Sequence, residues 1–448
     1  MPPYIEPAPI PTAPLTGRAR RGRWLALFAV AFLLRAGYAT VAAGPAAVPS
    51  SDPAHYDTIA WNLARGEGYS LESAGGSYPT SYRPPLVPWI TSLLYRVVGH
   101  RYFAALLLHA AIGALVPLAI AALGGVTYGV GIGWTAAWLT AVNPLLIFLS
   151  GYLLTENTFT LLLLVALRLS ADWVKTPRRG RALGLGLIWG LDALARPVAL
   201  LLPAVVALWA WVPLGLALGD GERRRNVALL LLGVALAVGP WTLRNAFVMH
   251  AFVPVSTNSG RVLLEGWNPR SWFDPAYRGG GAIDNTIEPY ASFLRLPEPE
   301  ADRRSRAEAV RFAREHAGQL PAVALAKLGR FWRMSAEGGG TGVWLREDSP
   351  LRPLLGWLDP VRWWAIVLFP LALWGALRTL RGTRRWFQSL PLWVIAYFSI
   401  LAMVFWGGLR PRAPIEPLIA LLAAAGFEDI RRRVRSRAAG MRAVQSRL

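Results

Sequence analysis

Apolar residues recur along this chain in blocks of about twenty, parted by short polar stretches rich in arginine. A helix needs roughly 20 mainly apolar residues to cross a hydrocarbon core about 30 Å thick. Blocks of that kind lie near residues 24–44, 102–124, 129–149 and 153–174. A longer apolar stretch, 183–218, is broken at Arg196-Pro197 and reads as two short spans joined outside the membrane. Further blocks lie near 227–243, 362–380, 390–407 and 413–427. The pattern predicts an all-α polytopic membrane protein with about ten spans.

Two intervening segments, about 45–101 and 244–361, are too long for turns. In the first, Tyr56, Ile59, Ala60, Leu63 and Ala64 repeat at helical spacing, which predicts a short helix lying on the membrane surface. Asp52-Pro53 fits its start, with Asp52 as N-cap and Pro53 at the first helical position. Pro84-Pro85 opens a second helix, with Trp89 and Tyr95 suited to the interface. In the second long segment, 298–315 reads as a solvated helix and 320–332 as another surface-lying one; Gly338-Gly339-Gly340 reads as a mobile connection.

Charge orients this map. The chain carries 47 Lys+Arg against 26 Asp+Glu, a net charge of +21, and most of the excess is clustered. Arg18, Arg20, Arg21 and Arg23 precede the first span; Lys175, Arg178, Arg179 and Arg181 follow the fourth. Arg223, Arg224 and Arg225 separate the sixth and seventh; Arg378, Arg381, Arg384 and Arg385 follow the eighth; seven arginines from Arg431 to Arg447 close the chain. With these ten spans every cluster falls on one side, which the positive-inside rule makes cytoplasmic together with both termini. The two long segments then face outward. The domain reading is a basic, Pro-rich cytoplasmic tail (1–23), a membrane domain (24–430) and a basic cytoplasmic tail (431–448). A cleaved signal peptide ending near Ala43-Gly44-Pro45-Ala46 is a rival for the first span, although the run is long for one and contains Arg35.

Composition removes other classes. With no cysteine there is no disulfide framework, thiolate zinc site or cysteine nucleophile. A 54% hydrophobic chain is not disordered, and basic clusters beside apolar spans need no nucleic acid.

Candidate chemistry lies where the outer segments meet the spans. Asp52 is either a helix cap or a general base held at the interface. Arg83, Arg196, Arg244, Arg410 and Arg412 all fall on the side where the positive-inside rule disfavours arginine. Each alone is accounted for as a snorkelling residue; together they suit an anionic phosphate, which guanidinium binds bidentately. Glu156 opens the fourth span and Glu416 follows Pro414, each either a helix N-terminal acid or a site carboxylate. His55, Tyr56, Tyr82 and Asn258 are candidate substrate contacts. Asp57 and Glu67 read as solvated. Asp192, inside a span, reads as an ion pair with Arg196 one turn on.

Several segments together resemble a known family. They are Asp52 followed by Tyr56; Ile59-Ala60, Asn62-Leu63-Ala64 and Gly66-x-Gly68-Tyr69; then Arg83-Pro84-Pro85-Leu86-x-Pro88. Leu154-Thr155-Glu156-Asn157, Leu194-Ala195-Arg196-Pro197, Pro240-Trp241-Thr242-Leu243-Arg244-Asn245 and 253–260 follow in order, and Arg410-Pro411-Arg412-Ala413-Pro414 comes last. This order resembles the family 39 membrane glycosyltransferases of the GT-C superfamily, which include protein O-mannosyltransferases and lipid A aminoarabinose transferases. The resemblance implies a GT-C transmembrane bundle of 10–13 spans in a bacterial-type plasma membrane. It implies a polyprenyl-phosphate-linked sugar donor, hexosyl or pentosyl transfer, and an outer-loop acid, here Asp52, acting on an acceptor hydroxyl or phosphate. The acceptor, whether glycan, lipid or protein, is not specified, and membrane lipids are the other expected partners. No cofactor is firmly implied; a divalent metal is an option with no ligand pattern behind it. The last segment departs from the family, which usually has an aromatic residue between its two arginines. The rival readings are a flippase for a lipid-linked saccharide and an inactive lipid-binding scaffold.

Overall fold

The computed structural model describes residues 17–42, 44–73, 75–334, 358–381 and 386–445. The Pro-rich residues 1–16 and the Gly338-Gly339-Gly340 connection lie outside them.

The described residues are helical almost throughout, with a single two-stranded hairpin among them. Its first ten helices are α1 (Gly17–Ala42), α2 (Ser51–Arg65), α3 (Leu86–Val98), α4 (Tyr102–Thr127), α5 (Val130–Ala141), α6 (Pro144–Leu149), α7 (Glu156–Lys175), α8 (Arg179–Ala195), α9 (Leu202–Ala217) and α10 (Asp220–Met249). Short α11 (Ser259–Gly266) and the longer Glu298–Glu315 and Leu320–Phe331 helices build the second long loop. Pro360–Leu380, Trp386–Val404 and Glu416–Gln445 complete the bundle.

Seven helices among the described residues are long and apolar enough to cross a membrane. The remaining expected blocks are helical too, as α5–α6, the 17-residue α8 and the apolar first half of Glu416–Gln445. The block at 129–149 is not one helix, because Asn143-Pro144 interrupts it. The Asn143 side chain accepts from the Leu146 amide, capping α6. Arg35, fully buried in α1, donates to the Thr140 and Ala141 carbonyls at the open end of α5. An arginine inside a span, puzzling in the sequence, is thus a cap for a broken neighbour.

Helices pack where side chains are smallest. A Cβ on Gly186 would lie 2.0 Å from the Leu230 carbonyl, and one on Gly233 would lie 2.3 Å from that of Leu183. Only glycine lets α8 and α10 approach so closely, the usual route to affinity between helices in lipid.

The first long loop lies over one end of this bundle. Helix α2 buries Tyr56, Ile59 and Ala60 as its spacing predicts, and Gly66 ends it with φ 84°. The following hairpin, Ser70–Ser73 with Gly76–Pro79, was not apparent in the sequence. The second loop is tied to the first through Glu298. Its carboxylate accepts from the Ser81 amide and the hydroxyls of Thr80 and Thr257, and the Thr257 amide donates to the Ser81 carbonyl.

Candidate active site

Asp52 does not cap its helix. Ser50 takes the cap position without a side-chain bond, and Asp52 sits in the first turn, just after Ser51 at φ 54°. That left-handed turn frees the carboxylate from the helix amides and directs it to two arginines. Arg83, on the stretch leading into α3, donates to Oδ1. Arg410, from the Leu409–Arg412 turn 358 positions away, donates to Oδ2 at 2.7 Å.

Arg410 also donates through Nε to Glu156 Oε1 at 2.5 Å, and Arg196 reaches the same oxygen at 3.2 Å. Five of the expected site residues therefore form one alternating chain, Arg83–Asp52–Arg410–Glu156–Arg196. Glu156 is sealed in at the start of α7, with its other oxygen, Oε2, lacking a partner. Asp52 and Arg410 keep 31% and 30% of their side-chain surface open, so the middle of the chain is reachable from outside.

Aromatic rings and a histidine wall the cluster. The Arg83 guanidinium lies 4.8 Å from the Tyr82 ring centre and 5.5 Å from that of Tyr56. His55 Nδ1 lies 3.3 Å from Arg83 Nε, and its ring meets Tyr82 edge-on. Burial, the dominant effect, lowers the pKa of His55; Arg83 adds to this and Asp52 opposes it. Burial alone would raise the Asp52 carboxyl, but Arg410 and Arg83 outweigh it and bring it down to about 2. Arg410 is held firmly charged by Glu156 and Asp52 in spite of its own burial.

Other expected residues lie elsewhere. Arg412 is buried and paired with Glu416 at 2.7 Å; it also donates to the Phe331 carbonyl, and Glu416 accepts from Asn143. Neither touches the chain of charges, so both are placed as internal struts. Arg244 spends its donors on the Thr80 and Tyr69 carbonyls and on Ser81, locking the hairpin to α10. Asn258 accepts from Ser256 at the entry to α11. Asp57 is not solvated: it is buried and receives hydrogen bonds from Tyr95 and His100. Asp192 has no ion pair with Arg196, which turns to Glu156 instead; both Asp192 oxygens are buried without a partner among the described residues.

Sequence reasoning passed over Arg261 and Glu265, one turn apart on α11. They pair at 3.5 Å, and both charges act on the Tyr82 phenol. The i,i+4 spacing of opposite charges was the available signal, but helix surfaces carry many such pairs. No group of three or more His, Asp or Glu that could hold a metal ion occurs among the described residues.

The helix bundle, with the helices of its long loops over one end and a cluster of acids and arginines beneath them, has a fold shared with solved GT-C glycosyltransferases. Comparison with known proteins agrees. Residues 82–241 match the family model for dolichyl-phosphate-mannose-protein mannosyltransferase, a stretch that takes in Arg83, Glu156 and Arg196 but not Asp52 or Arg410. No curated protein matches the chain. The archaeal oligosaccharyltransferase AglB from Archaeoglobus fulgidus, in complex with an inhibitory peptide and a dolichol-phosphate, is 15% identical, with TM-score 0.54 over 95% of this chain and 52% of that one. Its apo form gives 15% and 0.54 over 94% and 52%. This chain thus spans about half the length of AglB, and the structural likeness establishes the fold alone. ArnT from Cupriavidus metallidurans bound to undecaprenyl phosphate is 15% identical, with TM-score 0.42 over 90% and 78%.

Proposed function

We propose that the protein transfers a sugar from a polyprenyl-phosphate donor to an acceptor hydroxyl on the extracytoplasmic side of a bacterial-type plasma membrane, with both termini cytoplasmic. The observation that carries this reading is the Arg83–Asp52–Arg410–Glu156–Arg196 chain, open at Asp52 and Arg410.

Its charge suits the reaction. Three guanidiniums against two carboxylates leave one net positive charge, matching the single negative charge of a phosphodiester donor. During transfer the acceptor O–H gives its proton to Asp52, the acceptor oxygen bonds to the anomeric carbon, and the bond from that carbon to the phosphate oxygen breaks. Attack opposite the leaving group inverts the anomeric centre. Protonated Asp52 no longer offsets an arginine, so the cluster gains a positive charge as the leaving phosphate gains a negative one. Fixed cations matched to developing charge are the strongest means of stabilising such a transition state.

The carboxylate held at about 2 is a weak base while both arginines grip it. A donor phosphate competes for Arg410 and Arg83, and each bond it takes returns basicity to Asp52. The base is therefore set free by the substrate whose departure it assists. AglB, in the complex compared above, carries dolichol-phosphate, which supports a lipid phosphate here.

The test is transfer of a labelled sugar from a polyprenyl-phosphate donor to an envelope extract by protein in liposomes. Loss of product in Asp52→Asn at normal expression is expected. Undiminished transfer by that variant would remove Asp52 as base. Donor crossing the bilayer with no product would point to a flippase.

A further inference from the structure

Beyond the chain of charges, the Arg261–Glu265 pair on α11 has no assigned task. Helix α11 is anchored at both ends. At its start the Gly260 amide donates to Asp302 Oδ1 at 2.5 Å, and a Cβ on Gly260 would lie 2.0 Å from the Asp302 carbonyl. At its end Asn268 donates to the Leu264, Glu265 and Ala282 carbonyls. The Thr257–Ser81 backbone bond sets this rigid helix beside Tyr82, the ring that covers Arg83.

We propose that Glu265 and Arg261 form the subsite that holds the hydroxyls of the donor's sugar, next to the phosphate held by Arg410 and Arg83. The inference rests on the transfer reading above and adds the second half of the donor site. Sugars are recognised by groups that offer acceptor and donor together beside an aromatic face. Glu265 supplies the acceptor. Arg261 supplies donors: Nη2 is engaged with Asn285, but Nη1 is buried with no partner among the described residues. Tyr82 supplies the ring. The Thr257–Ser81 backbone bond puts the approach to α11 one residue from Tyr82 and two from Arg83, and the charges of Asp52 and Arg83 both act on Glu265. Its side chain keeps 29% of its surface open, while burial raises its pKa against the pull of Arg261. A mostly buried carboxylate that keeps part of its surface open can still accept from a ligand.

The alternative is an ordinary helix pair that stiffens α11. Binding to full-length protein in lipid nanodiscs separates the two. The probes are bare undecaprenyl phosphate and undecaprenyl phosphate bearing mannose, glucose or arabinose. At least one glycosylated probe should bind the wild type more tightly than the bare lipid. Glu265→Gln should weaken that probe by about tenfold, as expected for a hydrogen bond to a charged group, and leave the bare lipid within about twofold. Arg261→Gln, which opens the pair from its other side, should do the same, and serves if the first variant unfolds. Equal losses for bare and glycosylated probes, or no loss for either, would overturn the subsite, as would a wild type that gains nothing from any sugar. A wild type that fails to bind even the bare lipid would remove the transfer reading and this subsite with it.

Discussion

Asp52 and Arg410 stand 358 positions apart in the chain and 2.7 Å apart in space. Arg410 also bridges to Glu156 through Nε, so one guanidinium joins an acid from the first long loop to an acid at the head of α7. Removing any of the three changes what the other two can do.

The first consequence is a dissociation between binding and turnover. Asp52→Asn should abolish most transfer, a loss of about 10²–10⁴-fold for a general base. The same variant should bind bare polyprenyl phosphate more tightly than the wild type, since Arg83 and Arg410 no longer have a competing carboxylate. Nanodisc binding reads this directly, and weaker binding would show that Asp52 does not compete with phosphate.

Acid should loosen the site through the same residue. The folded pKa of about 2 lies below the ordinary 3.8. A depressed carboxyl contributes stability that is complete above its unfolded value and is lost as pH falls through the folded one. The wild type should therefore lose thermal stability between about pH 4 and 2 more steeply than Asp52→Asn does. Parallel slopes would argue against the ion pairs.

Arg410 and Arg412 should behave as different kinds of residue. Arg410→Lys keeps a charge but lacks the fork that spans two carboxylates, so transfer should fall while the melting temperature stays near that of the wild type. Glu416→Ala strands the buried Arg412 and should cost about 3–5 kcal/mol of stability. Thermal unfolding beside the transfer assay separates them; an Arg412 variant with normal stability and selectively weak donor binding would reverse the assignment.

Lys327 gives a pH effect of the opposite range. It is buried on the Leu320–Phe331 helix, 5.0 Å from the Trp267 ring centre, with one long bond to the Val404 carbonyl. Burial lowers its pKa from 10.5 to about 7. The charged amine is disfavoured in the fold, so the penalty is full below about pH 7 and fades as pH rises toward 10.5. Lys327→Met should be more stable than the wild type at neutral pH, with the gap closing in alkali. A constant gap would mean that packing, not charge, makes the difference.

Much of the architecture was legible in the chain. Blocks of about twenty apolar residues mark helices that must satisfy their own backbone in lipid. The amphipathic spacing from Tyr56 to Ala64 located α2, and the departures from simple membrane composition picked out Asp52, Arg83, Glu156, Arg196 and Arg410. These are local properties, readable because each depends on neighbours a few positions away.

Which charges meet is another matter. Arg410 and Arg412 sit two residues apart in one motif, yet one bridges Asp52 and Glu156 while the other is buried against Glu416. Arg196 lies one turn from Asp192 and pairs with Glu156 instead. Arg244 had the same credentials as Arg83 and went to backbone carbonyls. Ion pairs act over a few ångströms and depend on the direction of a side chain, which only the packing of distant helices decides. The sequence by itself determined a membrane bundle with unusual charges at one end; the tertiary structure selected five of them and set them in alternation.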